Sequence, residues 1–415
     1  MINEVVVEQH AEEAAFLWTQ RDRAVLAPNY KLKDLVRLDE RVEAHIDGLR
    51  VAGQFGWQLC EKALEKEGAG EMFAAGVLAF ESGDAGRIEK VMQKAGAPPL
   101  DRAMVSALGW LPFATVELHL KKLVGAERAE VRRVGIGGFA VQRQDPGRSL
   151  VQALSDQNPR LRARALKACG ELGRTNLLRE VIRSISDNDD PCRFWAAWSA
   201  ARLGDRSAGI LNVLREIAVA GTQYFQPALD LALRTMDLAQ AKAWREQLRR
   251  HPERLRLAAI GAGVIGDPEL VDDLIELMKI DRVARVAGEA FSMISGVDLA
   301  YSDLSKDPPE GFEAGPTEDP ADENVAMDQD ENLHWPAPDL VAKWWRDNRA
   351  KFSVARRYLA GKEMTTESLR EVLAKGTQPQ RRAAALELAL RTPSEALFEI
   401  RARGKLQSTQ LEKWS

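Results

Sequence analysis

The five histidines are the side chains of this 415-residue chain best suited to metal binding or proton transfer, and their spacing argues against both roles. His10, His45, His119, His251 and His334 are scattered, and no two share the spacing that sets a metal-ligating pair on one helix face. Asp328, Asp330 and Asn332 begin like a calcium loop. The likeness ends at Leu333, where the turn needs glycine, and at Asp339, where a bidentate glutamate is expected. Val134-Gly135-Ile136-Gly137-Gly138 is glycine-rich but follows helical sequence instead of a strand, so it lacks the context of a phosphate cradle. There is no Gly-x-Ser-x-Gly elbow. Cys60, Cys169 and Cys192 are odd in number and widely spaced, as reduced packing residues would be. The chain therefore offers no catalytic constellation, metal site or cofactor site.

Binding chemistry is better represented. Arg132 and Arg133, Arg160, Arg162 and Arg164, Arg254 and Arg256, and Arg381 and Arg382 recur at the starts of helical segments and would form a positive stripe if stacking aligned them. The net charge of −4 disfavours nucleic acid as the partner, and neighbouring carboxylates, or the chain's own acidic stretch, could equally cover the stripe. Trp195 and Trp198, three apart, and the adjacent Trp344 and Trp345 are candidate contact residues, with core packing as the alternative reading. Between Asp298 and Asp339 lie thirteen acidic residues, six prolines and one lysine. That composition buries too little apolar surface to order itself and predicts a flexible acidic loop. Asp319, Asp322 and Glu323 could there meet a basic partner, or the loop could be a solvated insertion.

The elements that must position these residues are read from a repeat. Ala165, Ala168, Cys169, Leu172 and Gly173 reappear 31 residues later as Ala196, Ser199, Ala200, Leu203 and Gly204, and after another 62 as Ala258, Gly261, Ala262, Ile265 and Gly266. The small residues predict closely packed first helices, each ending at a glycine able to take the left-handed conformation. Asp205 and Asp267, directly after their glycines, are placed to cap a second helix, as is Asp84 after Gly83. Pro159 and Pro252, each six residues before a matched alanine, suit a first helical turn. Pro379 stands in the same relation to Ala385, which marks Gln380 to Arg391 as a further first helix.

This pattern resembles the HEAT family, over roughly residues 70 to 298, with a period close to the short variety also found in phycobilisome lyases. The expected fold is an all-α, HEAT-like α-solenoid, a right-handed superhelix of stacked helix pairs with a long acidic loop. Arg234-Thr235 departs from the apolar-Gly pair expected there. The segments HAEEAAFLW (10–18), LDERVEAHIDGLRVAG (38–53) and QPQRRAAALELALR (378–391) also resemble a bacterial family of HEAT-repeat proteins whose genes accompany type VI secretion components. That resemblance implies an accessory role in loading, escorting or assembling a secreted effector, and carries no catalytic residues over.

The expected organisation is a helical cap at 1–69, the repeat array at 70–298, the acidic loop at 299–338 and C-terminal helical repeats at 339–415. A hydrophobic content of 45% allows a continuous core, yet no apolar run is long enough to span a membrane. Met1 to His10 is acidic and lacks a signal-peptide layout, so cytoplasmic residence is expected. The favoured function is a non-enzymatic scaffold or adaptor holding another protein. The alternatives are a short-HEAT, lyase-like enzyme acting on a bound prosthetic group and an immunity protein that blocks a toxin.

Overall fold

The structure, a computed structural model, describes residues 3–96, 98–312, 315 and 327–414. Their regular structure is almost entirely helical. First helices at Ala69–Ser82, Leu100–Trp110, Ala129–Val141, Pro159–Glu171 and Asp190–Arg202 each pack on the next, and second helices such as Ala85–Lys94 and Phe113–Val124 lie between them in sequence. Further along, Phe225–Thr235, Leu255–Ile265 and Asp281–Ser295 continue the alternation. The local reasons are those the sequence supplies. Gly173 and Gly266 take φ of +66° and +73° just past their helices, and Asp84 and Asp267 accept bonds from the Arg87 and Glu269 amides. Asp205 accepts from the Ser207 amide at the same place in its repeat. Pro159 opens its helix, beside a capping Asn158.

The glycine-rich tract lies inside the Ala129–Val141 helix. A Cβ at Gly135 would stand 2.8 Å from the Val124 amide nitrogen, so these glycines admit close helix packing. All three cysteines are free and buried, and the Cys60 and Cys169 thiols are pushed by burial to about 12.

The described residues form two compact units, one within Met1–Leu26, Tyr30–Val213 and Ala389–Ser415, the other within Ala27–Asn29 and Leu214–Leu388. These divisions fall elsewhere than the expected boundaries at 69, 298 and 338. In the first unit the Glu4–Ala24 helix packs on Leu32–Val51 and on Ala69–Ser82, with Trp18 stacked on Phe73 at 4.9 Å. Its core continues through Phe80, Met104, Leu108 and Leu120, each fully buried leucine stabilising by about 2 kcal/mol. In the second unit Val271, Leu274, Phe291 and Ile294 pack with Val341 and Trp345 of the Pro338–Asn348 helix.

One expectation is corrected in the second unit, and one small element is added to the all-α fold. The acidic stretch is ordered where it is described, because its few apolar residues and its carboxylates both find partners. Leu299, Leu304 and Trp335 are buried, Ser305 bridges to Pro336, and the Lys306 amide donates to the Trp335 carbonyl at 2.9 Å. The fold also contains a minimal hairpin: Tyr358–Leu359 pairs antiparallel with Lys362–Glu363. Its turn residues Ala360 and Gly361 both have positive φ, 52° and 77°, the geometry a two-residue hairpin requires.

Candidate functional site: an arginine-lined seat for a non-helical strip

In the first unit, the C-terminal ends of repeat helices are crossed by a non-helical strip of the same chain, residues 393–402, in which one turn closed by the Glu395 amide on Thr392 and another closed by the Ala402 amide on Glu399 flank the open segment 396–399. Arginine side chains hold it. Arg202, the last residue of the Asp190–Arg202 helix, donates to the Pro393 carbonyl at 3.2 Å and also to the Glu395 carbonyl. Arg143, just past the Ala129–Val141 helix and itself at φ 54°, donates to the Leu397 carbonyl at 2.5 Å and pairs with Glu399 at 2.9 Å. Arg21 reaches the Arg401 and Ala402 carbonyls, both at 2.7 Å, while its Nε meets buried Asp39 at 2.8 Å. Asp39 accepts in turn from the Gly404 amide at 2.5 Å. Among the described residues, one main-chain bond joins strip to helix: the Leu397 amide donates to the Glu171 carbonyl at 2.8 Å.

The left-handed glycines make room for the strip. A Cβ on Gly173 would lie 2.5 Å from the Glu395 carbonyl oxygen. Electrostatics follow from burial among arginines. Arg202 is fully buried, and that burial, reinforced by Arg143 and offset in part by Glu395, lowers it to about 10. Its Nε has no acceptor. Burial would raise Glu171, yet Arg164, Lys167 and Arg143 together bring it down to about 2.

The residues singled out from sequence are distributed as follows. Arg160 is exposed, whereas Arg162 pairs with Asp187 at 3.1 Å and Arg164 with Glu171 at 2.9 Å. Arg132 pairs with Asp156, and Arg133 is buried against Asp101. Arg254 lies 3.9 Å from Glu253. Arg256 makes two bonds to Asp330, at 2.6 and 2.7 Å, and Arg285 two to Asp328, at 2.6 and 3.0 Å, with Phe312 and Trp335 rings 5.1 Å from the Arg285 guanidinium. Arg382 lies 3.7 Å from Asp230 and fully buried Arg381 donates to the Leu373 carbonyl, so most of these arginines are engaged by groups of their own or a neighbouring repeat, or of the acidic stretch, and form no free positive stripe. The calcium-like aspartates are thus occupied by arginines. Asp319, Asp322 and Glu323 lie outside the described residues.

Of the tryptophans, Trp198 and Trp345 are buried, which takes them off the surface. Trp195 is half-buried, with Lys167 over its ring at 4.5 Å, and Trp344 packs edge-on against Phe291 at 5.6 Å. His10 and His45, far apart in sequence, meet across facing helices with their Nδ1 atoms 3.1 Å apart. Among the described residues no group of three or more metal-ligating side chains forms. None of their helices is long and apolar enough to cross a membrane.

Sequence reading missed Arg21, Arg143 and Arg202. Their signal was present for Arg202, which interrupts the small, apolar face Ala196-Ala197-Trp198-Ser199-Ala200-Ala201 immediately before Leu203-Gly204. A charge at a core position calls for a partner.

Among known proteins, no curated protein matches the chain. Residues 147–224 match the family described as HEAT repeats, a stretch that includes Arg202 and the left-handed Gly173 and Gly204.

Proposed function

We propose that this protein is a non-enzymatic protein-binding scaffold or adaptor. The observation that carries the reading is the seat itself, a run of repeat-helix ends whose arginines hold a non-helical stretch of polypeptide by its carbonyls. Such main-chain recognition is a general way of gripping a partner's segment, with side chains adding selectivity. HEAT repeats are interaction scaffolds in general, stacked helix pairs whose value lies in exposed, repeated surface. A narrower form, an accessory that loads, escorts or assembles a type VI secretion effector, is supported by the resemblance of segments 10–18, 38–53 and 378–391.

Quantitative affinity purification of the full chain from its native cells tests the reading. A scaffold recovers one protein at fixed stoichiometry, and the narrower form requires that protein to be a secreted effector or secretion component. A coloured or small-molecule species bound without any protein, and converted on incubation, would replace the scaffold with an enzyme.

A further inference from the structure

Residues 393–399 sit on the first unit as a ligand sits on a receptor. Glu395 and Ala396 are exposed and Pro393, Leu397 and Phe398 are only half-buried, so apolar burial contributes little to their placement. The carbonyls of Pro393, Glu395 and Leu397 are each met by a guanidinium. Glu399 adds an ion pair with Arg143, and Glu395 stands near enough to Arg202 to interact with its charge. The resident strip nevertheless leaves the seat incompletely satisfied. Arg202, a fully buried cation, bonds to neutral carbonyls and keeps its Nε without an acceptor, where a carboxylate would accept from two nitrogens at once.

On the scaffold reading just given, we propose that Arg143 and Arg202 form a docking site for a non-helical acidic peptide segment of a partner protein, and that residues 393–399 occupy it as an internal stand-in. Carbonyl recognition makes the site tolerant of sequence, while the two buried or half-buried cations select for carboxylates. The stand-in is tethered by the helices Gln378–Arg391 and Gly404–Glu412, so it competes at an effective concentration in the millimolar range. A partner engages once the strip lifts, which frees no part of the hydrophobic core.

The test uses a fluorescently labelled, end-blocked peptide with the sequence of residues 393–400, whose only charges are Glu395 and Glu399, added to the full chain carrying Leu397→Pro and Glu399→Ala. These changes remove the strip's amide bond to Glu171 and its ion pair, and leave the seat intact. The loosened chain is expected to bind the peptide on the order of ten- to a hundredfold more tightly than the unaltered chain, and Arg202→Gln in the loosened chain to reverse that gain. Replacing both peptide glutamates with glutamine weakens binding; shuffling its other residues does not. A loosened chain that keeps its circular dichroism and thermal melt but binds no peptide overturns the proposal. If the loosened chain fails to fold, hydrogen exchange on the unaltered chain decides: millimolar peptide must accelerate exchange of the Leu397 amide, and no acceleration overturns it. A stoichiometric partner recovered while that amide stays protected would retain the scaffold and refute this site alone.

Discussion

In the first unit the strip 393–402 crosses helix ends beneath Arg21, Arg143 and Arg202. In the second, the hairpin around Tyr358 crosses equivalent ends with its own amides. Tyr358 donates to the Gly266 carbonyl at 2.7 Å, Ala360 to Met293 at 2.7 Å and Gly361 to Ile294 at 2.9 Å. Arg357 adds bonds to the Leu233 and Met236 carbonyls. Both covers lie over left-handed glycines, since a Cβ on Gly266 would fall 2.3 Å from the Tyr358 carbonyl oxygen. The difference is in what holds them. Three main-chain bonds and a buried Tyr358 bind the hairpin into its unit, whereas residues 393–399 of the strip are held by long side chains and the Leu397 amide, with apolar packing only further on at Ile400 and Ala402. A cover held by side chains can open while the helices beneath stay folded.

The largest effect is expected from the buried ion pairs, one in each unit. Arg21→Ala strands buried Asp39 and frees two carbonyls, at a cost of about 3–5 kcal/mol in denaturant unfolding. Arg234→Ala, which strands Glu387 at 2.8 Å, should cost as much in the second unit. Only the first should also expose residues 393–402 to hydrogen exchange; equal exposure in both would erase the contrast between the covers.

Gly173→Ala and Gly266→Ala sharpen it. Each forces a Cβ into the left-handed region, at about 1–2 kcal/mol, and into a backbone carbonyl. The strip can move away and the hairpin cannot, so the Gly266 variant should melt lower than the Gly173 variant. The reverse order would mean the strip is the more firmly held.

The two units should also respond oppositely to pH. Burial, with Asp298 beside it, pushes Glu289 in the second unit from about 4.5 up to about 7. The folded state then keeps a proton that the unfolded state has released, so stability falls as pH rises from 4.5 through 7, and Glu289→Gln should remove that fall. In the first unit burial, and then neighbouring His10, lower His45 below 6.5. Its contribution is present above pH 6.5 and lost as pH drops below it, and His45→Gln should flatten the acid limb of the stability profile. This is the smallest effect, because His45 is only partly buried.

Much of the framework was legible because it is local. Gly173, Gly204 and Gly266 end helices, Asp84 and Asp267 cap the next ones and Pro159 begins another, and each role is set within a few residues of chain. The order within the acidic stretch was not legible, since its composition predicts solvation and its fastening depends on Arg256 and Arg285, dozens of residues away. The hairpin was hidden for a different reason: Ala360 takes positive φ without being a glycine. The seat was the least visible part. Arg21 and Arg202 lie hundreds of residues from the strip, and a carbonyl carries no side-chain identity by which a sequence could announce that it will be bound.

Native-state hydrogen exchange of the Leu397 amide against those of Tyr358 and Ala360 tests the central claim, that the first unit holds its strip as an openable ligand. Leu397 should exchange through a local opening insensitive to low denaturant, and Arg202→Gln should speed it while Tyr358 and Ala360 stay unchanged. Exchange of Leu397 only with unfolding of the whole unit, at a rate untouched by Arg202→Gln, would contradict the account.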